Sequence, residues 1–125
     1  MKNWVTEYKE IDNMKEITAV IRTERLDAVK DSLVKVDCKG ITVMDVKGHG
    51  EQLGIEEKYR GRSYRIDLLP KIEIMTVVGD EDVEKAVTAI CEAAKTGHVG
   101  DGKIFIKDIE EVIRIRTGER GEKAL

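Results

Sequence analysis

The same succession of apolar patterns, those of a strand, a helix and a strand, occurs twice along this chain. This repeat limits the folds that the chain can adopt. An alternating segment over Lys15–Arg22 predicts a strand with one apolar face. The apolar residues that follow recur at helical spacing: Leu26, Val29, Leu33 and Val36. We expect Thr23 to cap this helix and Gly40 to end it. The β-branched segment Ile41–Lys47 predicts a second strand.

The second copy of the pattern begins with a predicted strand over Lys71–Val78. A helix follows, for which Asp80 is the expected N-cap and Gly97 the expected C-terminal stop. Its apolar stripe is formed by five residues: Val83, Ala86, Val87, Ile90 and Ala94. Two short segments, Lys103–Lys107 and Val112–Arg116, complete the pattern as predicted strands.

Two strand–helix–strand units in tandem predict an α+β chain with the ferredoxin-like split βαβ (βαββαβ) fold and an extra C-terminal strand. In this fold both helices cover one face of an antiparallel sheet. The predicted opposite face is too apolar for water, with these residues: Val20, Met44, Val46, Met75, Val77 and Phe105. We therefore expect copies of the chain to cover this face for one another in an oligomer.

Composition excludes several classes of protein. The chain of 125 residues carries a net charge of −3, whereas a protein that binds nucleic acid by bulk charge has a basic excess. An RNA-binding sheet needs stacked aromatic residues, and Phe105 alone occupies the predicted strands. Two cysteines and no signal-peptide pattern favour a reduced, cytoplasmic protein. We interpret residues 1–13 as a polar extension and residues 14–125 as the folded domain.

The segment between the second and third predicted strands, Gly48 to Leu69, is much longer than a hairpin turn. It contains several glycines and the run Tyr59–Arg65, in which Tyr and Arg are residues that anchor interfaces. One interpretation is a mobile finger that contacts a partner. The other is an insertion with a solvated basic patch. The residues alone leave both open.

Three glycines and a lysine lie between the second predicted helix and the strand that follows it, within Thr96–Lys103. Such a turn lets backbone amides approach phosphate oxygens, although a plain helix-ending turn has the same composition. Arg114 and Arg116 are predicted to leave one face of the last strand. Either an anion lies between them or each is paired with a carboxylate. Together these residues favour a di- or triphosphate ligand.

Three stretches carry a resemblance to a known family: TGHVGDGKIFI, VIRIRTGE and YRGRSYRIDLLPK. The chain resembles the PII nitrogen-regulatory signal-transduction proteins, most like their GlnK members, from Met14 to its last residues. The resemblance implies a homotrimer that binds ATP or ADP, with Mg²⁺ and 2-oxoglutarate joining ATP, in clefts between subunits. It also implies a regulator without catalytic residues. No nucleophile–base pair in the sequence supports the alternative of an enzyme.

The resemblance also implies roles for individual residues. The base and ribose side of the nucleotide site is expected at five positions: Gly40, Thr42, Gly48, Met75 and Thr76. The phosphates are expected at six others: Gly100, Asp101, Gly102, Lys103, Arg114 and Arg116. Gln52 corresponds to the glutamine that helps to coordinate Mg²⁺ with 2-oxoglutarate, and Lys71 to the lysine that pairs with its carboxylate. Glu51 departs from the basic residue that many members have before this glutamine.

In this resemblance the long segment is the T-loop, about residues 49–68, which inserts into target proteins. Arg60 corresponds to the arginine that GlnK proteins insert into an ammonium transporter, which implies peripheral association with the membrane. Glutamine synthetase or nitrogenase, as for the NifI branch, is the alternative target. Tyr64 corresponds to a tyrosine that is uridylylated in some bacterial members.

Overall fold

The computed structural model describes residues 13–49 and 68–125, together with the backbone of two strands between these ranges. In chain order the strands and helices are β1 (Met14–Ile21), α1 (Leu26–Lys35), β2 (Ile41–Gly48), β3 (Ile55–Tyr59), β4 (Arg62–Ile66), β5 (Leu69–Gly79), α2 (Val83–Ala94) and β6 (Lys103–Ile109).

Four strands form one sheet in the order β2-β5-β1-β6, and every neighbouring pair is antiparallel. This order places each helix on a crossover between two strands that are separated by another strand. It is the predicted ferredoxin-like arrangement, which is thereby confirmed. Among the described strands, β3 and β4 pair with each other and with no other strand, in a separate antiparallel hairpin.

One face of the sheet packs under the helices and forms the core. Ile17, Ala19 and Ile21 of β1 are buried there, as their alternation predicts. The registers confirm the predicted second face: Thr18 lies opposite both Met75 and Phe105. Phe105 is 49% exposed on this face, although a phenylalanine in a monomeric domain is usually buried. Within the described residues, this face has no covering layer.

The predicted C-terminal strand over Val112–Arg116 is wrong. Ile113 forms an isolated bridge with Arg120, and the residues between them form a turn. The cause is local: Gly118 has a φ of 73°, and its amide donates to the Arg114 carbonyl at 2.7 Å. These contacts close the chain into a tight loop before a strand can extend.

The predicted helix boundaries also need correction. Thr23 and Asp80 each begin a short 3₁₀ turn that precedes the α-helix, and neither helix has a side-chain cap. Helix α1 ends before Gly40, because Asp37 has a φ of 64° and the Cys38 amide donates to the Leu33 carbonyl. Helix α2 ends at Ala94, so Gly97 belongs to the following turn rather than to the helix end.

The long segment is not a loop throughout, because the β3–β4 hairpin occupies part of it and β5 begins at Leu69 rather than Lys71.

Within the described parts of the chain, neither α1 nor α2 has the length and apolar character needed to cross a lipid bilayer.

Candidate ligand-binding site

The turn between α2 and β6 is closed by a single carboxylate. Asp101 Oδ2 accepts the backbone amides of Thr96 at 2.8 Å and Gly97 at 2.9 Å, and Oδ1 accepts the Thr96 hydroxyl. The Thr96 hydroxyl, with smaller contributions from these amides and Arg22, holds the pKa of the Asp101 carboxyl well below its usual range. Asp101 therefore organises the turn, whereas the resemblance placed it among the residues that hold phosphate.

Glycine is required in this turn at Gly102, where φ is 104°. A Cβ built on Gly102 lies 1.7 Å from the Val20 carbonyl oxygen, a distance that no side chain tolerates. The turn can approach β1 this closely only because residue 102 lacks a side chain. The approach positions Lys103, which lies opposite Val20 in the sheet.

Two cationic residues, Arg22 and Lys71, converge on the turn, which itself contains Lys103. Arg22 donates from Nε to Asp101 Oδ1 at 3.0 Å and from Nη2 to the Val99 carbonyl at 2.6 Å. Lys71 Nζ donates to the Gly100 carbonyl at 2.8 Å. Partial burial, followed by the charge of Arg22, lowers the Lys71 pKa. We call Arg22, Lys71 and residues 96–103 the glycine-turn cluster.

This cluster unites several residues that the sequence singled out separately. Gly100, Asp101, Gly102 and Lys103 are adjacent in the turn, and Lys71 reaches them from β5. Gly48 also lies beside the glycine-turn cluster rather than with Gly40 and Thr42. A Cβ placed on Gly48 would lie 3.3 Å from Lys71 Cγ.

Sequence reasoning missed Arg22. Its position as the last residue of a predicted strand gave no signal of function, and only the pairing of β1 with β6 places it beside the turn.

A second group of predicted residues lines a cleft of about 550 Å³ at the other end of the sheet. Gly40, Thr42 and Met75 line it together with the apolar residues Ile41 and Val77. The charged residues of its lining are Asp37, Lys39, Glu81, Asp82 and Glu122. We call it the acidic cleft, because carboxylates outnumber its one lysine. Its negative charge opposes a polyphosphate, whereas its apolar wall suits an uncharged ring.

Thr76, predicted to lie beside the base, has its side chain in the core. The residue is 1% exposed, and its hydroxyl oxygen has no hydrogen-bond partner among the described residues. Any contact between Thr76 and a ligand in the acidic cleft must therefore come from its backbone.

The two arginines do not share a strand face, because the strand predicted to carry them is absent. Arg114 Nη1 donates to Glu119 Oε1 at 3.1 Å, and Nη2 donates to the Leu125 carbonyl at 2.9 Å. Of the two alternatives for the arginines, a bound anion or a carboxylate partner, Arg114 therefore has the carboxylate partner within this chain. Arg116 is exposed, and its side chain has no hydrogen bond or ion pair with the described parts of the chain.

One copy of the chain does not bring the glycine-turn cluster and Arg114 together. Lys103 and Ile109 are the two ends of β6, about 20 Å apart at the usual rise per residue in a strand. Arg114 lies beyond Ile109 and contacts Leu125, which lines the acidic cleft. Arg114 therefore belongs to the acidic-cleft end of the structure, and Lys103 to the glycine-turn end.

The remaining predicted site residues lie wholly or partly outside the described residues. Gln52 and Arg60, like Glu51, lie outside the described residues, and Tyr64 is described only as a backbone position in β4. Among the described residues, no group of three His, Cys, Asp or Glu side chains has the arrangement of a metal site.

Comparison with known proteins identifies the family. The family model described as nitrogen regulatory protein P-II matches residues 14–119. Nitrogen regulatory protein P-II 2 of Methanothermobacter thermautotrophicus is 59% identical over 112 residues, covering 90% of this chain and 97% of the relative. The P-II protein of Bradyrhizobium diazoefficiens is 54% identical over 112 residues, covering 90% of this chain and all of the relative.

A solved structure, Arabidopsis thaliana PII bound to citrate, matches with a TM-score of 0.75 and 36% identity, covering 96% of this chain and 99% of that one. Trimer assembly is typical of the matched family, and its members are regulatory signalling proteins that bind small-molecule effectors. On the strength of the fold, the 106 matched residues and these relatives, this chain belongs to the P-II family of nitrogen regulatory proteins.

Proposed function

We propose that residues 14–125 form a nitrogen- and energy-status sensor of the GlnK type, with residues 1–13 as an extension. The protein assembles as a homotrimer and binds ATP or ADP between copies. Mg²⁺ and 2-oxoglutarate join ATP, and the T-loop transmits the bound state to a target. The observation that carries this proposal is the glycine-turn cluster, in which Arg22 directly after β1, Lys71 of β5 and Lys103 of β6 meet at one turn.

The charge of the cluster suits an anion. Among the described residues, Arg22, Lys71 and Lys103 outnumber the carboxylates that the contacts place near them, those of Asp101 and Glu24. Burial and, next, the charge of Arg22 lower the Lys71 pKa, and a bound anion would offset the repulsion between Lys71 and Arg22. Lys71 is therefore suited to pair with a carboxylate of 2-oxoglutarate, while Lys103 faces the phosphates of the nucleotide. Gln52 is the proposed Mg²⁺ partner.

The separation of the two predicted groups supports a site between copies. The acidic cleft of one copy, with Gly40, Thr42 and Met75, offers an apolar wall for the base and ribose. The glycine turn of another copy supplies cations for the phosphates. Arg114, which contacts Leu125 of the cleft lining, and Arg116 are the residues proposed to reach toward those phosphates. Each copy holds both halves at opposite ends of its sheet, and a trimer brings one half from each of two neighbouring copies together.

Calorimetry with matched lysine variants tests nucleotide binding. We expect Lys103→Met to weaken ATP binding about 10-fold or more, because a phosphate contact is lost. Lys107→Met is the control, because Lys107 lies on the same strand and is also exposed, about 13 Å away at the usual strand rise. We expect its ATP affinity to stay within about twofold of the unaltered protein. Absence of binding at millimolar ATP and ADP contradicts the proposed function.

The proposed target is an ammonium transporter, which the protein reaches from the cytoplasm and contacts through Arg60. Two states of the T-loop that bind 2-oxoglutarate and ATP with different affinity provide the switch. A pull-down with and without 2-oxoglutarate tests this target, with Arg60→Ala expected to lose the transporter. Arg62→Ala, which removes the same charge two positions away, is the control. Capture of glutamine synthetase or nitrogenase alone supports the alternative.

Tyr64 is the proposed modification site in the T-loop. Mass spectrometry of the protein from nitrogen-starved cells separates the two interpretations: uridylylated Tyr64 supports modification, and unmodified Tyr64 supports a tyrosine that is retained without being modified. An unmodified peptide under both nitrogen-starved and nitrogen-rich conditions contradicts the proposed modification.

A further inference from the structure

The loop that contains Arg114 is a tight hairpin held by three backbone hydrogen bonds. The Arg114 amide donates to the Glu119 carbonyl at 2.9 Å, and the Gly118 amide donates to the Arg114 carbonyl at 2.7 Å. The Gly121 amide donates to the Val112 carbonyl at 3.0 Å. We call residues 112–121 the C-terminal hairpin. Its backbone places Arg114 and Glu119 directly opposite each other.

The side chains of the C-terminal hairpin hold the Arg114 guanidinium from two sides. Its two terminal nitrogens donate to different acceptors, Glu119 Oε1 and the Leu125 carbonyl. Glu119 is itself fixed, because the Thr117 hydroxyl donates to the same Oε1 at 2.9 Å. The Glu119 amide also donates back to the Thr117 hydroxyl oxygen at 3.2 Å. Thr117, Glu119 and Arg114 form one connected set of contacts.

Stability does not explain this arrangement. The Arg114 and Glu119 side chains are 37% and 42% exposed, and ion pairs with this exposure contribute little to folding. Arg116, two residues further on, has no such partner within the described residues. The hairpin therefore orders one arginine of the two. A guanidinium has five N–H donors, so Arg114 keeps donors for a ligand after these two contacts.

We propose that Glu119, supported by Thr117, is a positioning residue that orients Arg114 toward the phosphates of the nucleotide. The inference rests on the proposed nucleotide site, and it adds a residue to which the resemblance assigned no role. An arginine that is ordered before binding loses less conformational entropy when the ligand arrives. Simple electrostatics predicts the opposite effect of removing Glu119, because a carboxylate near a phosphate weakens nucleotide binding and its loss would tighten it. The sign of the effect therefore separates the two accounts.

The test measures the affinities of the trimeric protein for ATP and for adenosine, which lacks phosphates. We expect Glu119→Ala to weaken ATP binding about fivefold while adenosine binding changes by less than about twofold. Glu119→Gln keeps an oxygen acceptor in the same place, and we expect it to retain ATP affinity within about twofold. Tighter ATP binding by Glu119→Ala overturns the inference, as does an equal loss for adenosine.

Two further variants separate positioning from a general effect on the hairpin. Arg120→Ala removes the other ion pair of the hairpin, Arg120 with Glu111 at 3.5 Å, and we expect unchanged ATP affinity. In an Arg114→Ala background, Glu119→Ala should cause no further loss, because the residue it positions is gone. Additive losses overturn the inference. If the unaltered protein binds no ATP, the proposed function fails as well, whereas ATP binding that Glu119→Ala leaves unchanged overturns only the inference.

Discussion

The two ends of the sheet differ in how their polar contacts are made. In the glycine-turn cluster, Arg22 contacts Asp101 and Lys71 contacts Gly100, residues that are distant in sequence and meet only through strand pairing. In the C-terminal hairpin, Arg114 contacts Glu119, five residues away. The first end is built from the whole fold, and the second from one short segment. Changes in the glycine-turn cluster should therefore affect folding and binding together, whereas changes in the hairpin should affect binding alone.

The largest expected effect is that of Gly102→Ala at the glycine-turn end. The added methyl group meets the Val20 carbonyl and the backbone needs a positive φ, so we expect a loss of about 3 kcal/mol or more in the free energy of unfolding. Gly97→Ala is the control, because its φ is also positive but its built Cβ has no neighbour within 4 Å. We expect it to cost about 1–2 kcal/mol in denaturant unfolding. Equal losses would show that close packing does not limit this end.

Asp101→Asn tests whether the carboxylate orders the turn. The folded-state pKa lies below the ordinary value of 3.8, so the charged form stabilises the fold above that pH. This stabilisation should be lost as the pH falls below about 4, and Asp101→Asn should remove this part of the acid dependence while lowering the melting temperature at neutral pH. Asp108→Asn, at a carboxylate that is 85% exposed, is the control. An unchanged acid profile in Asp101→Asn contradicts the assignment.

Thr76→Val tests the core between the two ends. The Thr76 hydroxyl is buried without a partner in the described structure, so its replacement should raise the free energy of unfolding by about 1 kcal/mol. Thr18→Val is the matched control, because the Thr18 hydroxyl donates to Glu16 at 3.0 Å and its loss should give no gain. A destabilised Thr76→Val protein would show that the hydroxyl has a partner in solution.

The smallest expected effect is that of Arg120→Ala on stability at the hairpin end. The Arg120 side chain is 64% exposed, so we expect a change of less than about 0.5 kcal/mol in denaturant unfolding. A loss comparable to that of Gly102→Ala would contradict the distinction between the two ends.

Much of the fold could be predicted because its signals are periodic. The alternation in β1 and β5 and the apolar stripes of α1 and α2 identified the strands, the helices and the buried face. Boundaries were less predictable. Asp37 ends α1 with a positive φ that nothing in the sequence required, and Gly118 closes a hairpin where alternation predicted a strand.

The candidate site was predictable only in part. The turn glycines stand out in the sequence because three of them occur close together, and all three have a positive φ. Arg22 carried no signal, since its role depends on the pairing of β1 with β6. Asp101 was assigned to the ligand, but the backbone amides of its own turn occupy it instead.

The sequence by itself determined the order of the four strands of the main sheet and the two helices, the apolar faces and the family, because these depend on local spacing and on motifs. Only the tertiary structure decided that Lys103 and Arg114 lie toward opposite ends of the sheet within one copy. It also decided that Gly48 lies beside Lys71 and that the Thr76 hydroxyl is buried. The physical reason is that strand register brings residues together or separates them over distances that no local pattern encodes.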